Sequence, residues 1–125
     1  MSPEAVNYFE TAKLQLQEAE DALASGLHRI AARLAYDVAL SSARAIIFEK
    51  IQQAPKTHSG VRKQLAKLEH EGLPLESGLV KFLADGFEAK VDFDYGPFSP
   101  VSKENAEIAM ARARAFLAAA QAVCE

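Results

Sequence analysis

Residues 3–24 read PEAVNYFETAKLQLQEAEDALA. Ala5, Phe9, Ala12, Leu16, Ala19 and Leu23 recur at alternating steps of four and three, which makes one apolar stripe along a helix of about 3.6 residues per turn. Ser2 suits the N-cap, Pro3 the first helical position and Glu4 the positive end of the helix dipole. Gly26 lies just past the stripe, where a helix stops readily.

The same period continues downstream. A second helix is expected over about 27–53, with Tyr36, Leu40, Ala43, Ile47 and Ile51 on one face and Pro55 closing it. The loop Ala54-Pro55-Lys56-Thr57-His58-Ser59-Gly60 leads to a third helix, about 61–71, closed by Gly72 and Pro74. A fourth, about 76–93, places Leu79, Leu83, Phe87 and Val91 at steps of four, with Gly86 weakening it. Gly96-Pro97-Phe98-Ser99-Pro100 breaks the chain. The last helix, about 103–123, opens on Ser102 and is dense in alanine, which favours helix and lets a neighbour approach closely. No strand pattern appears. The expectation is an all-α protein: one domain over residues 1–125, folded as an antiparallel helical bundle of about five helices.

Composition narrows the class. Half of the 125 residues are hydrophobic and a quarter are charged, a balance that supports a packed core and not a disordered chain. The single cysteine, Cys124, offers no internal disulfide and no thiolate pair for zinc, which fits a reducing cytoplasm. The first residues carry neither a basic nor an apolar leader region, and no apolar run approaches the roughly 18 residues that span a bilayer, so no membrane is expected as partner. A net charge of −3 argues against a general nucleic-acid binder while leaving room for a local basic patch.

Few residues point to chemistry. His28, His58 and His70 are scattered, with no metal-ligand spacing on one helix, so no metal is expected. Thr57-His58-Ser59-Gly60 has one glycine and no Walker pattern around it, and no nucleophile elbow is present, so no cofactor is implied. Two features stand out. Between Lys50 and Leu68 lie Lys50, Lys56, Arg62, Lys63 and Lys67 with no acid, either a surface for phosphate or an acidic partner or simply a solvated helix face. Around the expected end of the fourth helix, Lys90 and Asp94 stand one turn apart and Tyr95 follows, either a site or a fraying terminus with an aromatic lid.

The order of these pieces resembles the HEPN family. Ala35-Tyr36-Asp37-Val38-Ala39, Ala43-Arg44-Ala45-Ile46-Ile47, Lys56-Thr57-His58-Ser59-Gly60-Val61 and Asp94-Tyr95 are arranged as in small prokaryotic HEPN proteins, over about residues 5–122. The resemblance implies a helical bundle, a homodimer with a groove between protomers, and a toxin–antitoxin-like context with a small nucleotidyltransferase as partner. Active members cut RNA without metal, using an Arg followed four to six residues later by His. Here the matching position is Lys90, and Asp94, Tyr95 and Gly96 stand where His would be. Lysine keeps the charge and loses the bidentate fork, and Asp94 beside a phosphate would repel it.

The resemblance thus implies a non-catalytic or weakly catalytic module. It would bind a protein partner and a nucleotide or RNA, through Lys56, His58, Arg62, Lys63 and Lys90, near Asp94 and Tyr95. Tyr95 matches the tyrosine that the partner nucleotidyltransferase modifies in some members. The alternative is a metal-independent ribonuclease with an atypical site: Lys90 on the phosphate, His58 or Tyr95 moving the proton. A third reading is a purely structural dimer, suggested by the Ala-rich last helix.

Overall fold

The computed structural model describes residues 2–76, 78–85 and 101–124, and every element within them is helical. Four expected helices form as α1 (Pro3–Ala24), α2 (His28–Ile51), α3 (His58–His70) and α5 (Lys103–Cys124), and of the helix expected over about 76–93 residues 79–85 are described, as α4. The Ser2 hydroxyl accepts the Ala5 N–H at 3.2 Å and opens α1, while Gly26, at φ +78°, turns the chain into α2.

On α1 the stripe is sorted by size. Ala5, Ala12 and Ala19 are wholly buried, whereas Phe9, Leu16 and Leu23 flank them half-exposed. Small side chains on the contact line bring α1 close to α2. The short connection at 25–27 makes the two helices antiparallel. Helix α5 runs alongside in the direction of α2: Arg114 pairs with Glu20 near the end of α1, and the Cys124 thiol lies 3.9 Å from the Ala45 carbonyl oxygen. Ala106, Ala113 and Ala120 recur every seven residues on its buried side, with Met110 and Phe116 filling the space between.

Periodicity predicts one buried face for α2, and the structure buries residues on more than that face, 13 of the 24 in the helix. Ala31, Ala32, Ala35, Val38, Ala39, Ser41, Ser42 and Ala45 join the expected face because α1, α5 and α3 enclose the helix from different sides. Ser41 donates to Gln15 Oε1 on α1 at 2.8 Å; the Ser42 hydroxyl has no hydrogen-bond partner among the described residues.

Helix α2 ends earlier than Pro55 requires, at Gln52, whose left-handed φ of 54° turns the chain away. Residues 52–57 then double back, so α3 begins at the level of Tyr36. It also begins three residues before its expected start, because the Thr57 hydroxyl accepts the Gly60 N–H at 2.9 Å and draws His58 and Ser59 into the first turn. Val61, Leu65 and Leu68 face α2, and Leu79 and Leu83 of α4 join the same core. Phe87 and Val91 lie outside the described residues. No helix among the described residues is long and apolar enough to cross a membrane.

Candidate functional site

The corner where α3 starts against α2 brings together Tyr36, Arg44, His58 and Arg62. Tyr36 is only 3% exposed, yet its hydroxyl lies 3.2 Å from His58 Nδ1, and the two rings sit 5.8 Å apart between centroids. Burial first, then the Asp37 carboxylate, push the Tyr36 phenol up to about 12, against the smaller opposing pull of Arg44 and Arg62. Tyr36 therefore stays protonated across the neutral range.

The loop that delivers His58 is held by Arg44. Its Nη2 donates to the Lys56 carbonyl at 3.2 Å, and its Nε points at the Pro55 carbonyl at 3.4 Å, a longer contact. Gly60 is required by the same packing: a Cβ there would stand 2.8 Å from Pro55 Cβ and 2.9 Å from the Thr57 oxygen that caps the helix. Arg62 lies one turn beyond His58 on the same side of α3, half-buried, and neither Arg62 nor Arg44 forms an ion pair among the described residues.

The five cations read together from the sequence divide in space. Arg62 joins His58 and Tyr36. Lys63 and Lys67, four residues apart, stand exposed on the outer side of α3, and Lys56 is exposed at the loop. Lys50 lies apart, beside a cavity of about 290 Å³ lined also by Leu68, Glu71, Gly72, Leu73 and Pro74. Lys90, Asp94 and Tyr95 lie outside the described residues.

His28 lines a second cavity, of about 540 Å³, with Gly26, Leu27, Arg29, Ile30 and Arg33, and His70 is the exposed last residue of α3. No group of His, Cys, Asp or Glu able to hold a metal ion occurs among the described residues. On α5, Ile108, Ala111, Ala118 and Ala122 form an outward stripe, opposite the alanines used in the core.

The periodicity puts Tyr36 on the core stripe of α2, and the sequence gives neither it nor Arg44 a role at a site. The available signal was a hydroxyl on an otherwise apolar face, with a guanidinium two turns later and a histidine ahead in the loop.

No curated protein matches this chain. The crystal structure of TT1696 from Thermus thermophilus matches with a TM-score of 0.81 at 22% identity, covering 98% of this chain and 99% of that one, a likeness of fold. A family model, the HEPN domain, matches residues 5–123, nearly the whole length. The chain belongs to the HEPN domain family.

Proposed function

We propose that this chain is a non-catalytic or weakly catalytic HEPN module that binds the phosphate groups of a nucleotide or RNA at the α2–α3 corner. The observation that carries the reading is the pairing of His58 and Arg62 on one side of α3, one turn apart, with Lys56 exposed on the loop before them and Lys63 and Lys67 exposed on the outer side of the same helix. A guanidinium can bind two phosphate oxygens at once, and the lysines add charge without geometry. Lys90 is proposed to extend this surface. The whole of 1–125 is taken as one domain acting in the cytoplasm as a homodimer, beside a small nucleotidyltransferase in a toxin–antitoxin-like context. The ligand, and not a resident cofactor or metal, supplies the chemistry that the site recognises.

The test is fluorescence anisotropy with a labelled single-stranded oligoribonucleotide, and competition by AMP to separate RNA from mononucleotide. Reversing charge at Arg62 and Lys63 together should weaken binding at least tenfold, and added salt should weaken the wild type. Affinity indifferent to both changes would reduce the segment to a solvated face.

One observation favours the ribonuclease alternative. His58 is held by a tyrosine and stands near a guanidinium, the kind of support that a proton-transferring imidazole uses. Lys90 and Tyr95 would then serve the phosphate and the proton. RNA digestion with chelator present, beside Lys90→Ala and His58→Ala, decides between the two readings.

A further inference from the structure

We propose that the cavity at the α1–α2 turn binds a small organic anion with an apolar body: Arg29 takes the acidic head, and Leu27 and Ile30 pack against the rest. The site is separate from the α2–α3 corner, and the inference does not rest on the phosphate reading made there.

The cavity has a volume of about 540 Å³ and is lined, among the described residues, by Gly26, Leu27, His28, Arg29, Ile30 and Arg33. No acid is among them. That is not the background of this chain, which carries 17 acidic against 14 basic residues. An anion entering the cavity meets attraction and no like charge from these side chains. Neither His28 nor Arg29 takes a hydrogen bond or an ion pair within the described residues, so Arg29 can hold a head group without first giving up a partner. Its guanidinium carries donors only, in a fork that fits two oxygens of one carboxylate or phosphate.

The rim is apolar. Leu27 and Ile30 are two of the four large hydrophobics left exposed among the described residues, at 49% and 42%. Three residues apart, they are neighbours across one helical turn. Leu27 occupies the N-cap of α2 and makes no side-chain cap hydrogen bond. A serine, threonine or aspartate there would cap the helix; the chain forgoes that and turns an aliphatic side chain to solvent. A ligand that covers both side chains takes their surface out of water. Size decides between a small molecule and a protein. Pockets of roughly 300–1,000 Å³ are usual for small molecules, while a stable protein contact covers about 800 Å² on each partner. The described lining falls wholly within residues 26–33, too narrow a stretch for the second.

Amide ¹H–¹⁵N spectra of the full chain, titrated with octanoate, octyl phosphate, acetate and octanol, test the inference. The better of the two amphiphilic anions should shift the amides of residues 26–33 and bind at least about tenfold tighter than acetate, which lacks the body, or octanol, which lacks the charge. Which of the two is tighter identifies the head as carboxylate or phosphate. Arg29→Gln should weaken that ligand about tenfold and leave octanol unchanged. Ile30→Ser should weaken it about threefold to tenfold with Arg29 intact. Both positions lie outside the buried core, and an unchanged urea midpoint separates loss of the site from loss of the fold.

Shifts confined to amides outside 26–33, or equal affinity for octanoate, octyl phosphate, acetate and octanol, overturn the inference even if a variant fails to fold. So does binding that survives both Arg29→Gln and Ile30→Ser. An acidic, leucine-containing peptide that shifts these amides where neither amphiphilic anion does assigns the surface to a protein partner, and the small-molecule site falls.

Discussion

Arg44 spans twelve residues of sequence to hold the carbonyl oxygen of Lys56 at 3.2 Å. The contact ties the middle of α2 to the loop before α3, so the position of His58 depends on a side chain that need not touch a ligand. Arg44→Ala should lower stability by about 1–3 kcal/mol, from two lost charge-assisted contacts to loop carbonyls. It should also weaken oligoribonucleotide binding by more than its own charge accounts for. Arg44→Lys keeps the charge and loses the fork, so an affinity matching the wild type would show that the loop needs no clamp.

Gly60 is held tight by its neighbours. Gly60→Ala forces a methyl against Pro55 and against the Thr57 hydroxyl that caps α3. The expected cost is about 1–3 kcal/mol in urea denaturation, as for overpacking elsewhere, with the cap disturbed as well. An unchanged urea midpoint would mean that the loop can shift without loss.

The Tyr36 phenol confers a signed pH dependence. Its folded value, about 12, lies above the ordinary 10, so the folded state keeps a proton that the unfolded chain loses first. The contribution is intact below pH 10 and falls away as pH rises through 12, at about 1.4 kcal/mol per unit at most. Urea titrations of the wild type and Tyr36→Phe across that window should show the steeper decline in the wild type. Parallel declines would assign the alkaline loss to other groups.

Cleavage of RNA is expected to be weak or absent. Without a histidine at positions 94–96, proton transfer loses about a hundredfold to ten-thousandfold. A digestion time course with chelator should leave single-stranded RNA intact. Cleavage abolished by His58→Ala or by Lys90→Ala would promote the ribonuclease reading.

The proposed homodimer now rests on a different face of α5. Its alanines at 106, 113 and 120 are consumed inside the bundle, which leaves Ile108, Ala111, Ala118 and Ala122 outward, with Ile108 at 53% exposure. Light scattering should report about twice 13.6 kDa, and Ile108→Asp should shift it toward the monomer. A monomeric wild type at micromolar concentration would remove the shared-groove arrangement.

The bundle was legible because its helices carry their own punctuation. The Ala5–Leu23 stripe, Ser2, Gly26 and Ser102 all work within one element or at its end. The enclosure of α2 was not legible, since a stripe records one neighbour and this helix has neighbours on several sides. The early start of α3 was missed because Thr57-His58-Ser59-Gly60 looked like a loop, although Thr57 is a good cap. The site was half legible. His58 and Arg62 were named from charge and motif, while Tyr36 and Arg44 join them only after residues 52–57 double back, a path that no local pattern encodes. Lys90, Asp94 and Tyr95 lie outside the described residues and stay part of the proposal.

Helix α3 grips α2 through Val61, Leu65 and Leu68, while α1, α2 and α5 pack against one another along longer faces. Its thirteen residues are therefore the natural candidates for local opening, and their amides should exchange with solvent sooner than those of α2. A ligand held by His58 and Arg62 at the start of α3, where Arg44 ties the preceding loop to α2, would spend part of its binding energy closing that motion. Recognition at this corner would then register as slowed hydrogen exchange along a whole helix, well beyond the residues in contact.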